Sequence, residues 1–218
     1  MGDRALLVEL GDGISPRINQ KVCALYTGLA AQCIEGIKDL VPSYRSLMVV
    51  YDPLVIALDS LQSQLNETWS TLDDDRLAEP RTVEIPVVYG EQYGPDLEWV
   101  ADYHKMSLQE VIRLHTQPLY QVYMIGFMPG YPYMGEVPDE IVTPRRKTPR
   151  TLVPAGSIGI AQKQTGIYPV ASPGGWQIIG RTPVRLFDPQ AQPPCFLEMG
   201  DRIKFLVITE QELLEWRP

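Results

Sequence analysis

The feature that most constrains the fold is the density of glycine and proline in the second half of the chain. About half of all Gly and Pro residues lie between Gly126 and Asp188. They separate short β-rich segments at residues 120–127, 157–162, 176–181, 184–187 and 202–208. Short strands separated by turns in this way are typical of an antiparallel barrel or sandwich.

The first 88 residues follow a different pattern, in which strand and helix periods alternate. Residues 5–9 predict a strand, Ser15-Pro16 supplies an N-cap and a first-turn proline, and Gly36 is expected to end the helix. The later segments are strands at 37–41 and 46–51, a helix at 54–69, an acidic turn at 73–75 and a strand at 82–88. This is the element order of a ferredoxin-like α/β fold. Because the half gathers no reactive side chains, we expect it to be a scaffold or an interface.

Residues 89–96 contain two glycines and one proline, and they are the predicted domain boundary. A helix is expected at 96–103, and Ser107 with Glu110 predicts the start of another. Thr209 with Glu212 predicts a last short helix in the same way. The chain is therefore expected to be an α+β protein, with a ferredoxin-like domain at 1–88 and a β-barrel domain at 89–218.

Composition argues against several classes of protein. The net charge of −8 and the sequence pI of 4.8 oppose binding to nucleic acid. No apolar run approaches the roughly 18 residues of a membrane span. The first ten residues carry three charges and lack the apolar core of a signal peptide.

Cysteine and histidine usage favours a cytoplasmic protein without a metal of its own. Cys23, Cys33 and Cys195 follow no CxxC spacing, which predicts free thiols in a reducing compartment. His104 and His115 are the two histidines of the chain, and neither lies in a metal-ligand pattern.

A cationic loop is the first candidate site. Arg145, Arg146, Lys147 and Arg150 lie within six positions of a proline-rich segment, in a chain that is otherwise acidic. Cations on a stiff loop suit an anionic ligand, because little entropy is lost on ordering them. The alternatives are a solvated loop, or one that pairs with acidic groups of a partner protein.

Other candidates lie near this loop in the sequence. Ser172-Pro173-Gly174-Gly175 suits a type II turn whose exposed amides could hold a carboxylate or phosphate oxygen. Arg181 could add a cation, and Trp176 could stack on a planar ligand or fill the barrel mouth. The hydroxyls of Ser157, Thr165 and Ser172 have no assigned base, so ordinary turn hydroxyls are the preferred interpretation. His115 closes a helix, where it is either a structural cap or an acid-base group.

Ordered motifs connect these segments to a known family. They read GFMPGYPYMG at 126–135, QTGIYP at 164–169, SPGGWQIIGRTP at 172–183 and LFDP at 186–189. With residues 2–9 and 42–47 they cover nearly the whole chain. This set resembles the 5-oxoprolinase B-subunit family (PxpB), which also carries the labels KipI-type kinase inhibitor and allophanate hydrolase subunit 1. It is similar as well to one half of the carboxyltransferase domain of urea carboxylase. Family members usually have a few more residues before Gly2-Asp3, so the first strand is expected to be short.

The resemblance implies a fold and an activity. The second half is expected to be a cyclophilin-like barrel. The implied reaction opens the lactam of 5-oxoproline to L-glutamate with ATP hydrolysis, in a complex with the C and A subunits of 5-oxoprolinase that shares the ATP site. The candidate catalytic residues are then His115, Arg145 and Arg150. Substrate or nucleotide would be bound by Arg146, Lys147, Gly156, Ser157, Thr165, Tyr168, Ser172, Gly174, Gly175, Trp176 and Arg181.

Two other functions stay open at this point. The KipI label implies a protein that binds and inhibits a sensor histidine kinase, which would need a docking surface and no ATP chemistry. Biotin-dependent carboxyl transfer in urea or allophanate metabolism is the third, and the partner domains it requires are missing from this chain.

Overall fold

The computed structural model describes residues 2–72 and 80–217, so the acidic turn predicted at 73–75 lies outside the described residues. The chain divides into two compact units, Met1–Glu79 and Pro80–Pro218.

The first unit contains a three-stranded antiparallel sheet and two helices. Its elements are β1 (Ala5–Glu9), α1 (Pro16–Gln32), β2 (Ile37–Pro42), β3 (Ser46–Tyr51) and α2 (Leu58–Thr71). The strand order is β1-β3-β2. Apolar side chains of both helices and of the central strand are buried, among them Leu25, Leu61 and Val49.

Local sequence explains how α1 begins and ends. The Ser15 hydroxyl accepts a hydrogen bond from the Ile18 amide, and Pro16 occupies the first turn, as predicted. The helix ends at Gln32 because Cys33 adopts a left-handed conformation with φ of 48°. Gly36, the predicted helix end, instead forms the turn into β2 with φ of 98°.

The second unit contains the barrel, two short sheet strands outside it and three helices. Its elements are β4 (Thr82–Tyr89), α3 (Leu97–His104), α4 (Leu108–Thr116), β5 (Tyr120–Ile125), β6 (Pro132–Gly135), a 3-10 turn (Asp139–Ile141), β7 (Arg150–Val153), β8 (Ser157–Ala161), β9 (Gln164–Ile167), β10 (Ser172–Gly174), β11 (Gln177–Arg181), β12 (Arg202–Val207) and α5 (Glu210–Glu215).

Seven of these strands close into a barrel, in the order β11-β4-β12-β5-β6-β9-β8. Neighbouring strands are antiparallel except β4 and β12, which run parallel from Thr82 opposite Arg202 to Val87 opposite Val207. The predicted barrel is therefore confirmed, and its aliphatic side chains pack with Tyr120, Phe205 and residues of α3 and α4 in one core cluster. Residues 184–187 were predicted as a strand, but only Phe187 pairs there, in a single bridge to Cys195.

The position of β4 corrects the prediction for the first half. Residues 82–88 were expected to complete a ferredoxin-like sheet, whereas β4 lies between β11 and β12 of the barrel. Its pattern Ile85, Pro86, Val87, Val88 is buried throughout, which suits a strand covered on both faces. The described part of the first unit holds three strands, so the ferredoxin-like fold is not confirmed.

The segment predicted as the boundary, residues 89–96, packs against the barrel. The Gly90 amide donates to the Ile179 carbonyl over 3.0 Å, and a Cβ added at Gly94 would lie 2.1 Å from the same oxygen. Tyr93 and Asp96 are buried as well. The compact units divide about ten residues earlier, between Glu79 and Pro80. Independent folding of domains 1–88 and 89–218 stays a prediction.

The predicted helix caps are present in the second unit. Ser107 accepts from the Glu110 amide over 3.2 Å at the start of α4. Thr209 and Glu212 form a reciprocal capping box at the start of α5.

Candidate functional site

The cationic loop is organised by a residue that the sequence did not single out. Asp96, at the N-cap of α3, has a side chain that is 5% exposed. Its carboxylate accepts from Arg146 over 2.7 Å and from both terminal nitrogens of Arg150 over 2.7 and 2.8 Å. The Ile178 amide donates to it over 2.6 Å. Two cations and one carboxylate leave this group with a net charge of about +1.

Backbone contacts fix the same loop at two further points. Gln177 donates its side-chain amide to the Pro144 carbonyl over 3.0 Å. The Arg146 amide donates to the Gly175 carbonyl over 2.8 Å. The residue between these two anchors is Arg145, which is exposed.

Arg145 and Lys147 are the loop cations that remain available to a ligand. Across residues 2–72 and 80–217, neither side chain has an ion pair or a hydrogen-bond partner. Arg146 and Arg150 were predicted as direct anion ligands, with Arg150 catalytic. Asp96 holds Arg146 through one terminal nitrogen and Arg150 through two, and their side chains stay 35% and 24% exposed.

Four aromatic side chains pack beside the loop, and we call Tyr131, Tyr133, Tyr168 and Trp176 the aromatic cluster. Tyr131 lies at its centre, with ring centroids 5.0 Å from Tyr133, 5.4 Å from Tyr168 and 5.9 Å from Trp176. The last two contacts are edge-to-face, the favoured geometry of aromatic pairs. The motifs at 126–135, 164–169 and 172–183 thus meet in one place.

Two glycines allow this packing. A Cβ at Gly166 would lie 2.6 Å from the Tyr131 hydroxyl and 3.1 Å from the Trp176 ring. A Cβ at Gly174 would collide with the Tyr168 hydroxyl. Side-chain-free backbone at these positions is therefore required for the rings to approach the strands.

The charge of Arg145 acts on the cluster. Burial raises the pKa of the Tyr133 phenol, and the charge of Arg145 opposes that rise. Burial also raises the pKa of Tyr168, against a backbone hydrogen bond from Trp176 and the charges of Arg145 and Arg150. The loop cations thus favour the ionised form of both phenols. Arg145 is exposed, whereas Tyr131, Tyr168 and Trp176 are buried, so the cation and not these rings is presented to a ligand.

The predicted glycine turn has a different structure. Residues Ser172–Gly174 form β10, which pairs antiparallel with β7. Its amides are therefore not presented by a free type II turn, and the Gly175 carbonyl is used by the cationic loop.

His115, a candidate catalytic residue, lies in the core of the second unit. Its side chain is 0% exposed and stacks on Phe205 at 4.8 Å between ring centroids. Nδ1 lies 2.8 Å from the Tyr89 hydroxyl and Nε2 lies 2.9 Å from the Thr165 hydroxyl. Burial lowers the pKa of His115 to about 3. A neutral, enclosed imidazole cannot exchange protons with a substrate at neutral pH.

The hydrogen bonds around His115 assign its tautomer. Thr165 donates its hydroxyl hydrogen to the Gly159 carbonyl over 3.1 Å, so it accepts from Nε2–H of His115. Nδ1 then accepts from the Tyr89 hydroxyl. Thr165, a candidate binding residue, is thus also part of the barrel core.

One end of the β8–β11 pair holds three of the candidate binding residues. Ser157 lies opposite Arg181 there, and Gly156 precedes Ser157. Ser157 is buried, so its hydroxyl is not presented to solvent. Gly156 has φ of 79° and a Cβ there would lie 2.4 Å from the Thr182 carbonyl. The Arg181 guanidinium lies 5.5 Å from the Tyr93 ring centroid.

Metal-ligating groups and membrane-spanning helices would define other classes of site. Within residues 2–72 and 80–217, no His, Cys, Asp and Glu side chains gather in a group of three or more that could hold a metal ion. No helix of the described part of the chain has the length and apolarity needed to cross a membrane.

Comparison with known proteins places the chain in a family. Residues 1–197 match the family described as the carboxyltransferase domain, subdomain C and D. The B subunit of 5-oxoprolinase from Bacillus subtilis strain 168 is 40% identical over 97% of this chain and 92% of its own length. That of Haemophilus influenzae is 46% identical over 73% of this chain and 75% of its own length. The chain therefore belongs to the carboxyltransferase-domain family that includes the 5-oxoprolinase B-subunit proteins.

Solved structures agree with this placement. The crystal structure of TTHA0988 matches with a TM-score of 0.85 and 38% identity over 94% of this chain. The match spans 40% of that longer chain. The Kluyveromyces lactis urea carboxylase matches with a TM-score of 0.73 over 98% of this chain and 22% of its own length. At 20% identity, the latter shows the fold alone.

Proposed function

We propose that this chain is the B subunit of an ATP-dependent 5-oxoprolinase. The observation that carries the proposal is its identity of 40% with the Bacillus subtilis 5-oxoprolinase B-subunit protein, over nearly the full length of both chains. The name of that relative implies a complex of several subunits. We further propose the C and A subunits of 5-oxoprolinase as the partners and the cytoplasm as the location.

The cationic loop and the aromatic cluster suit different parts of 5-oxoproline. 5-Oxoproline is a five-membered lactam ring with a carboxylate, so its recognition needs an apolar wall and a fixed cation. Tyr133, the partly buried member of the aromatic cluster, offers apolar surface, and the charge of Arg145 acts on its phenol and on that of Tyr168. We assign Arg145 to the substrate carboxylate or to a phosphoryl oxygen.

The second anionic reactant is ATP, which supplies the phosphoryl group that makes the amide oxygen a better leaving group. The cations of the loop suit the phosphoryl oxygens of ATP. Lys147 is exposed, and the Asp96 group keeps a net positive charge next to it. These cations can stabilise negative charge on phosphoryl oxygens. We propose that the partner proteins provide the remainder of the nucleotide site.

Reconstitution tests the proposal. The purified chain is expected to be inert alone, and 5-oxoproline-dependent ATP hydrolysis is expected after mixing with the C and A subunits. Arg145→Ala should lower turnover by about ten- to a hundredfold at saturating partner, the loss of one charge-assisted hydrogen bond. Arg185→Ala is the control, because this exposed arginine pairs with Asp188 and has no hydrogen bond to the cationic loop.

Three results would count against the proposal or part of it. Robust turnover by the chain alone contradicts the shared site. Absence of turnover in the complete mixture contradicts the 5-oxoprolinase assignment. If raising the partner concentration restores full activity to Arg145→Ala, the loop docks a partner and does not bind the reacting anion.

A further inference from the structure

Asp96 connects three parts of the second unit that are distant in sequence. It stands at the N-cap position of α3, and its carboxylate accepts from the Ile178 amide of β11 and from two arginines that lie 50 and 54 residues further along the chain. Both carboxylate oxygens have two donors each. A carboxylate that is bonded so fully has one orientation, and the guanidinium of Arg150, which it binds through two nitrogens, is oriented with it.

Arg145 lies next to Arg146 in the loop, and its side chain has no ion pair or hydrogen bond among the described residues. Its backbone neighbours are fixed by the Gln177 amide on Pro144 and by the Gly175 carbonyl on Arg146. The Arg146 side chain is fixed by Asp96. The orientation of the Arg145 side chain therefore depends on these three contacts. Asp96 makes one of them and also binds Arg150.

We propose that Asp96 is a positioning residue, which holds Arg146 and Arg150 and thereby fixes the loop that carries Arg145 beside the aromatic cluster. The expected effect on turnover rests on the proposed function. The orientation of the loop by Asp96 does not depend on any reaction. Fixing a binding cation in advance lowers the entropy lost when a ligand binds.

The direction in which the pKa of Tyr133 shifts in Asp96→Asn distinguishes a positioning role of Asp96 from a direct electrostatic effect of its charge. Arg145 opposes the rise in the pKa of Tyr133. If Asp96→Asn releases Arg145, the pKa of Tyr133 should rise, and it should rise in Arg145→Ala for the same reason. The direct effect of removing a negative charge is opposite, because it makes the phenolate easier to form.

The experiment is NMR of the full chain with tyrosine labelled with ¹³C at Cζ, with Tyr133→Phe to assign the signal. Asp96→Asn and Arg145→Ala should both raise the Tyr133 titration point, and the double variant should raise it no further than Arg145→Ala. Asp102→Asn, an exposed aspartate on α3, is the matched control and should change nothing. Asp96→Glu keeps the charge and shifts the carboxylate by one methylene, so it decides the question if Asp96→Asn does not fold.

Turnover of the reconstituted complex is the second readout. Asp96→Asn should lower it about tenfold or more and add nothing in the Arg145→Ala background. A Tyr133 titration that stays in place or moves to lower pH in Asp96→Asn and Asp96→Glu overturns the inference, whatever the activity. A wild-type complex without 5-oxoproline-dependent turnover overturns the proposed function, while the titration still decides the role of Asp96.

Discussion

The guanidinium of Arg150 donates to both carboxylate oxygens of Asp96, over 2.7 and 2.8 Å. This bidentate pair is largely enclosed, because the side chains are 24% and 5% exposed. It distinguishes Arg150, which is held within the protein, from Arg145, which is exposed and has no ion pair among the described residues.

Loss of the pair is expected to affect stability. Arg150→Ala leaves the Asp96 carboxylate buried with fewer partners, so the free energy of unfolding should fall by about 3 kcal/mol. Arg145→Ala should change it by less than about 0.5 kcal/mol, because no bond within the described chain is lost. Urea denaturation of both variants measures the difference, and equal stabilities would show that Asp96 does not need Arg150.

His115 predicts an acid-sensitive core. Its pKa is lowered to about 3 by burial, whereas the ordinary value is 6.5. The unfolded chain therefore binds this proton first, so stability is fully present above about pH 6.5 and is lost as the pH falls toward 3. The slope from this group is about 1.4 kcal/mol per pH unit within that window.

Urea denaturation between pH 7 and pH 4.5 measures the slope. His115→Gln should flatten the dependence of stability on pH. His104, whose Nε2 contacts the Thr143 hydroxyl, is the control, and His104→Gln should keep most of the slope. If wild type and His115→Gln lose stability equally on acidification, His115 does not carry the effect.

Gly166 predicts a packing defect in the aromatic cluster. A methyl group there would lie 2.6 Å from the Tyr131 hydroxyl, so Gly166→Ala must displace the central ring. We expect a loss of about 1–3 kcal/mol in stability, together with altered near-ultraviolet circular dichroism. Gly13→Ala is the matched control, because nothing lies within 4 Å of the added carbon. A Gly166→Ala variant as stable as Gly13→Ala would place Tyr131 elsewhere.

The segment at 89–96 is expected to resist proteolysis, contrary to its composition. Gly90, Tyr93 and Gly94 are buried and hydrogen-bonded to the barrel or to each other. Cleavage requires local opening of backbone, and these contacts oppose it. Mass spectrometry of limited digests gives the cut sites, and early cuts within 89–96 would show that the segment is a linker.

Much of the local structure was predictable. The caps at Ser15, Ser107 and Thr209 mark helix starts, and the strands of the barrel follow the punctuation by glycine and proline. The motifs also identified the family, which the comparisons confirm. For the site, they predicted Arg145, Tyr168 and Trp176 as neighbours in function, although not their geometry.

The sequence by itself determined the elements, because a cap, a turn or a hydrophobic period depends on residues a few positions apart. Tertiary structure decided the partners. A strand such as β4 reads the same in either sheet, and its parallel pairing with β12 placed it in the barrel. The charge of Arg150 is visible in the sequence, but its neutralisation by Asp96, 54 residues away, is not. His115 likewise became a core residue through Thr165, 50 residues further on. Contacts of this separation exist only once the chain has packed, so packing determined which cation remains available to a ligand.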